Sequence, residues 1–354
     1  MIKHIKTSTY LVTLILSITN SSPISSSESA KSIIFSVAKS EGSIYQYTIN
    51  DAGYLKTDFN QWKTPYDLST KYSYPYINYN PEIQAVEVLG DIRDVENVNH
   101  WQILNLNQNS SFTNYRKVSD TFYTGNYYSS LAFVEGLGLV IFGGSLTNDD
   151  KNIVSSAEIV SFSTKLVSSS QIIESRTKTQ DYQLQNMPHP VYKAAITTSS
   201  QTVFIAGGAD SENSVGHLQS ISFSDVQNFG DAQSRAWKVH TPLKLIGKLG
   251  TIQYFENYLF YNAVANSRSD SRNVEIYDLA TDSSKISEDV LNFWSDMSAA
   301  YVTGGNWTIF GGDASSNSCL MESQYIGSFG KKWDCLDTSL LDSFSLQMSY
   351  VNVF

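Results

Sequence analysis

Four histidines, two cysteines and two clusters of carboxylates and amides carry most of the chemistry open to this chain beyond its first 22 residues. Imidazole suits copper or zinc, but a metal site needs several ligands that converge. His100, His189, His217 and His240 are scattered over different stretches and read as surface or loop residues. Asn148-Asp149-Asp150 and Asp210-Ser211-Glu212-Asn213 have the oxygen-rich composition that calcium favours. The same composition suits a solvated turn, which is the reading adopted, so no metal is assigned. The arginines at 93, 116, 176, 235, 268 and 272 share no motif. Neither a Gly-Lys-Ser/Thr phosphate cradle nor a Gly-x-Ser-x-Gly elbow occurs, so no catalytic residue and no cofactor is expected. Cys319 and Cys335 flank a turn-like stretch, Ile326 to Gly330. A hairpin turning there sets them within disulfide reach, and closing a loop of that size stabilises by about 3 kcal/mol. Asn109 and Asn306 each open a glycosylation sequon.

The elements that must position these residues are announced by a repeated phrase, an apolar run ending in two glycines. It reads LGLVIFGG up to Gly143-Gly144, TVFIAGG up to Gly207-Gly208 and NWTIFGG up to Gly311-Gly312. A weaker copy, AVEVLGD, places Gly90-Asp91 in the same slot. The first glycines stand 53, 64 and 104 residues apart, and the last step is twice 52. ENYLFYNAVAN, Glu256 to Asn266, therefore occupies a halfway copy that has lost its glycines. A period near 50 with a buried strand running into a diglycine marks a propeller of four-stranded units. The 22 tyrosines and 17 phenylalanines also favour strands over helices.

Six units can be traced. The first has strands for its later positions in SIIFSVAKSEGSIYQYTIND, with Trp62 beyond them, but lacks an innermost strand. FSLQMSYVNVF, Phe344 to Phe354, is a strand without a unit of its own. The expectation is an all-β, six-bladed propeller over residues 30–354 whose first blade is completed by the C-terminal strand. A ring left open would present unpaired strand edges, which invite aggregation.

On these motifs the chain resembles the kelch-repeat superfamily, the propeller type of the galactose-oxidase central domain. The resemblance covers nearly all of the chain after residue 30, although the first-strand Arg or His of many family repeats is mostly missing. It implies a ring of sheets around a channel, with loops that most often bind proteins or glycans. A copper-radical oxidase of that family needs a Tyr-His pair and a Cys joined to a Tyr, and no Tyr-His pair exists here. The Ser-x-Asp-x-Gly-x-Thr-Trp boxes of sialidases are absent too. A mutarotase- or glycosidase-like enzyme working at the channel mouth remains the alternative.

The chain begins as a secretory signal peptide begins. Lys3 and Lys6 precede an apolar core, Tyr10 to Ile18, and a polar, small-residue stretch follows, so residues 1–22 are read as removed. A core that short does not cross a bilayer, which needs about 20 apolar residues. The formal charge is -10 without a basic stripe, which argues against nucleic acid and anionic membranes as partners. The sequence therefore predicts a secreted or cell-surface, monomeric, non-catalytic propeller that binds an extracellular protein or glycan. Its expected contact residues lie in the loops after the diglycines: Asn148, Asn213, His217 and Arg268.

Overall fold

The structure is a computed structural model. It describes residues 128–134, 137–147, 151–160, 182–199, 201–211, 213–224, 232–263 and 272–287 in full, and elsewhere the backbone of the strands. Within those residues 24 strands form six four-stranded antiparallel sheets. The first joins β1 (Ser32–Ala38), β2 (Ser43–Ile49) and β3 (Asn60–Lys63) to β24 (Met348–Val353), in the order β24-β1-β2-β3. The second runs β4 (Tyr76–Asn80), β5 (Ala85–Ile92), β6 (Val98–Asn105) and β7 (Asn114–Lys117). The third comprises β8 (Ser130–Val134), β9 (Gly138–Phe142), β10 (Ala157–Val167) and β11 (Ile172–Gln183). In the fourth are β12 (Ala195–Ser199), β13 (Thr202–Ala206), β14 (Leu218–Ser222) and β15 (Trp237–Val239). The fifth holds β16 (Gly247–Phe255), β17 (Tyr258–Ala265), β18 (Glu275–Asp278) and β19 (Ser283–Ile286). The sixth holds β20 (Ala299–Thr303), β21 (Asn306–Phe310), β22 (Met321–Tyr325) and β23 (Asp334–Cys335).

Neighbouring sheets meet mainly through their first strands. β8 adjoins β12, β12 adjoins β16, β16 adjoins β20, β20 adjoins β24, and β24 adjoins β4. β11 adjoins β6 and β7. This is a propeller-like arrangement, and its core lies between sheets. Phe142, Ile159, Val203, Ile205 and Ile221 share one buried cluster, and Phe204, Leu259, Tyr261 and Tyr277 share the next. The second strands of the third and fourth sheets, β9 and β13, are apolar on both faces because each of these sheets is covered twice. Leu139 to Phe142 and Val203 to Ala206 are all buried. Trp237 of β15 packs edge-on against Phe142 and donates its indole N–H to the Gln185 carbonyl at 2.8 Å, tying the fourth sheet to the third.

The diglycine is where the connector to the next sheet docks. The Gly144 N–H donates to Val191 O at 3.0 Å, and the Gly208 N–H donates to Gly247 O at 2.9 Å. A Cβ on Gly207 would run into the Tyr261 hydroxyl and come within 2.7 Å of the Gly247 carbonyl oxygen, and its φ of +62° is left-handed. The fifth sheet manages without glycines, as the spacing predicts. There the register puts Ala263 in the slot, and the side-chain amide of Asn262 donates to Asn273 O at 2.6 Å.

Two further recurrences appear only in the register. Gln102, Glu158, Gln219, Glu275 and Glu322 all stand opposite the residue two places before the first-glycine slot, namely Val88, Ile141, Ile205, Tyr261 and Ile309. At the inner edge, Tyr128, Lys193 and Leu249 have φ of 60°, 55° and 54° at equivalent positions. The Lys193 N–H donates to Tyr128 O at 3.2 Å and the Leu249 N–H to Lys193 O at 2.9 Å. A left-handed residue costs about 1–3 kcal/mol, and these links between sheets offset part of it.

At the other end of the chain the register of β22 and β23 sets Cys335 opposite Glu322. Cys319 itself, Asn109 and residues 1–31 lie outside the described residues. Asn306 opens β21 with strands on both sides, pairing with Thr303 and Tyr325.

Candidate functional site

In an antiparallel four-stranded unit, the loop between second and third strands and the connector to the next unit share one end. The best-defined part of that end is the loop from Gly207 to His217. Its backbone is held at almost every step. Ala209 exchanges both hydrogen bonds with Tyr192, at 3.0 and 3.1 Å. The Asp210 N–H donates to Asn213 O at 3.1 Å, and the Val215 N–H donates to Gly208 O at 2.9 Å. The Tyr192 hydroxyl donates to Ser211 O at 3.0 Å, fixing a residue whose φ is 85°. The loop thus displays Asp210, Ser211 and Asn213 exposed and His217 half-buried.

His217 does not stand alone. Its ring stacks on that of His189 with centroids 4.0 Å apart and planes 7° from parallel. His189 lies in the β11–β12 connector between Pro188 and Pro190, and its backbone is gripped by Gln219. The fully buried Gln219 amide accepts from the His189 N–H at 3.3 Å and donates to His189 O at 2.8 Å. His217 is anchored in turn by Gly207, whose N–H donates to its carbonyl at 2.8 Å. Burial, and then the neighbouring His189, push the His217 pKa below the usual histidine value, while Asp210 pulls the other way. Farther along the same connector, the Lys193 ammonium lies over the Tyr128 and Tyr192 rings at 4.2 and 4.9 Å.

Of the expected contact residues, the loop brings together Asn213 and His217; Asn148 and Arg268 lie outside the described residues. The reading of the histidines as isolated loop residues is corrected in two places. His189 and His217 meet across 28 positions of sequence, because Gln219 holds the connector beside its own strand. His240 is only 4% exposed and belongs to a buried relay.

That relay has the connectivity of an acyl-transfer triad. Asp282 accepts from His240 Nδ1–H at 3.0 Å, which leaves Nε2 to accept from Ser220 Oγ at 2.9 Å. Asp282 also accepts from the Tyr277 hydroxyl at 2.7 Å and from the N–H and hydroxyl of Thr241 at 3.2 and 2.8 Å. The Tyr277 hydrogen bond, followed by those of Thr241 and His240, holds the Asp282 carboxyl far below the ordinary range. Burial lowers the His240 pKa more than Asp282 raises it. A nucleophile must reach its substrate. Ser220 is 5% exposed, midway along β14 with β13 and β15 on either side. The relay therefore ties the fourth sheet to the fifth. A second tie follows: the fully buried Glu275 accepts from the N–H groups of Lys244 and Leu245 at 2.8 and 2.6 Å and from the Ser284 hydroxyl. Among the described residues no group of three or more His, Cys, Asp or Glu could hold a metal ion.

No family model matches the chain, and no curated protein matches it. Among solved structures it is similar to YjhT, with a TM-score of 0.56 and 11% identity over 86% of this chain and 97% of that one. At that identity the likeness carries the fold, a propeller-like all-β arrangement, and nothing of activity.

Proposed function

We propose that this chain is a secreted or cell-surface, kelch-type, six-bladed propeller that binds an extracellular protein or glycan without catalysing a reaction on it. In this reading the six sheets are the blades, β24 on β1 closes the ring, and Cys319 and Cys335 are bridged. The observation that carries the binding role is the loop from Gly207 to His217. Its backbone is fixed by hydrogen bonds within the fold, so a partner meets exposed polar side chains already in place. Recognition by a fixed surface avoids the ordering cost that a mobile loop incurs on binding. Variable loops on a rigid scaffold are a common means of display.

A glycan array and capture from the extracellular fraction, both at neutral pH, test the binding role. The natural chain should retain a discrete partner, and the Asn213→Ala, His217→Ala double variant should bind it at least about tenfold more weakly. Turnover of reducing sugars with no captured partner would overturn the reading in favour of a carbohydrate-active enzyme. Intact mass of the exported chain, before and after reduction, reads leader removal, glycans and the bridge together.

A further inference from the structure

Both imidazoles of the His189–His217 stack are held through their backbones, and both are half-buried at the end of the sheets where the loops are displayed. Neither ring makes a hydrogen bond to a described residue. Two parallel rings, each only partly buried, thus stand together where a ligand can approach. A shared metal ion does not fit them, since the lone pairs lie in parallel planes 4.0 Å apart and cannot converge on an ion about 2.0 Å from each nitrogen.

The charges around the pair decide what does fit. On its own loop His217 faces the carboxylate of Asp210. The connector that carries His189 adds Lys193, whose ammonium is directed over two tyrosine rings. The segment packed against Gly216 adds Lys244, whose ammonium donates to Ser284 O, and Lys248 in β16. Two neutral imidazoles beside Asp210, in a chain of net charge -10, have little attraction for an anion. One proton on the pair reverses this, because a protonated ring can rest on the face of a neutral one. A second proton is opposed by the first at 4.0 Å unless an anion binds to both N–H groups.

We propose that the His189–His217 stack is a proton-gated contact for a carboxylate-bearing ligand, closed to anions while both rings are neutral and opened when the pair takes up a proton. The inference rests on the reading of this end as the binding face. Linkage requires reciprocity: the proton strengthens the carboxylate contact and the carboxylate raises the His217 pKa. Burial and mutual repulsion hold His217 below its ordinary value of 6.5, so the gate opens on the acid side of neutrality.

Glucuronate and glucose are suitable probes, since they share a ring and differ in the carboxylate. The imidazole carbon-bound protons of the whole chain are followed by NMR from pH 8 to pH 5 without a sugar and with each, and glucuronate affinity is measured by calorimetry along the same range. Glucuronate should raise the His217 pKa, and its affinity should climb about tenfold per unit of falling pH until the pair is charged. Glucose should leave that pKa in place, and the His189→Gln, His217→Gln double variant should lose the pH dependence. The proposal is overturned if glucuronate leaves the His217 pKa in place, if glucose matches it, or if the double variant keeps the pH dependence. Capture at neutral pH is an independent readout, so loss of the gate and loss of the binding face are told apart.

Discussion

Asp282 accepts four hydrogen bonds, and its fate sets a pH dependence. Its φ of 51° places it in the turn between β18 and β19, where it reaches Tyr277, Thr241 and His240 together. Asp282→Ala leaves the buried His240 ring and the Tyr277 hydroxyl without their acceptor, a loss of about 2 kcal/mol. The side chain is 42% exposed, so solvent screening keeps the electrostatic part of that loss small. The folded pKa lies below the unfolded one, so the stabilisation is complete above about pH 4 and is lost as pH falls through the folded value. Urea denaturation should show parent and variant separated by a constant gap from pH 7 to pH 4, narrowing at pH 3. A gap as wide at pH 3 as at pH 7 would assign the loss to packing instead. None of this was legible from residue types. Ser220, His240 and Asp282 follow no local motif, and only the docking of one sheet's last strand against the next sheet's turn brings them together.

At the scale of the element, the diglycines could be read because they record a steric fact, the close passage of a connector carbonyl where no Cβ fits. The prediction is correspondingly sharp at Gly207. An alanine there takes a left-handed φ and meets both the Gly247 carbonyl and the Tyr261 hydroxyl, which itself donates to Gly247 O at 3.0 Å. The conformational cost is about 1–2 kcal/mol, and overpacking adds about 1–3 kcal/mol. Thermal unfolding should reveal a loss of that combined size, whereas an unchanged midpoint would show that the connector yields easily. The acidic or amide position of the third strands was not legible in the same way. Glu275 within VEIY or Gln219 within LQSI reads as one polar residue in an alternating strand. Its role appears once the register aligns it with Ile205 or Tyr261 and the connector above it is seen to need partners for its backbone. The His189–His217 stack was hidden for the same reason, since Gln219 and not proximity in sequence sets its geometry.

For the whole molecule the decisive contact joins the two ends of the chain. β24 pairs with β1 from Ile34–Val353 to Ala38–Met348, and it also adjoins β20 and β4. One six-residue strand thereby serves three sheets. The halfway copy, the lost glycines and the orphan strand at the terminus were all readable, because successive units of similar length leave an arithmetic trace in the sequence. Which residues cross between units was not, because those contacts depend on how successive sheets pack. Removing residues 344–354 bares the hydrogen-bonding edge of β1. An exposed edge recruits other chains. Pairing strands more than 300 residues apart in sequence also closes a very long loop, so this contact forms late in folding and its gain is felt chiefly in the finished ring. The truncated chain should therefore be recovered as aggregate, or as a soluble species without a cooperative thermal transition. A soluble monomer that melts cooperatively at the parent's temperature would show that the sheets hold together without the last strand, and the closed ring would have to be abandoned.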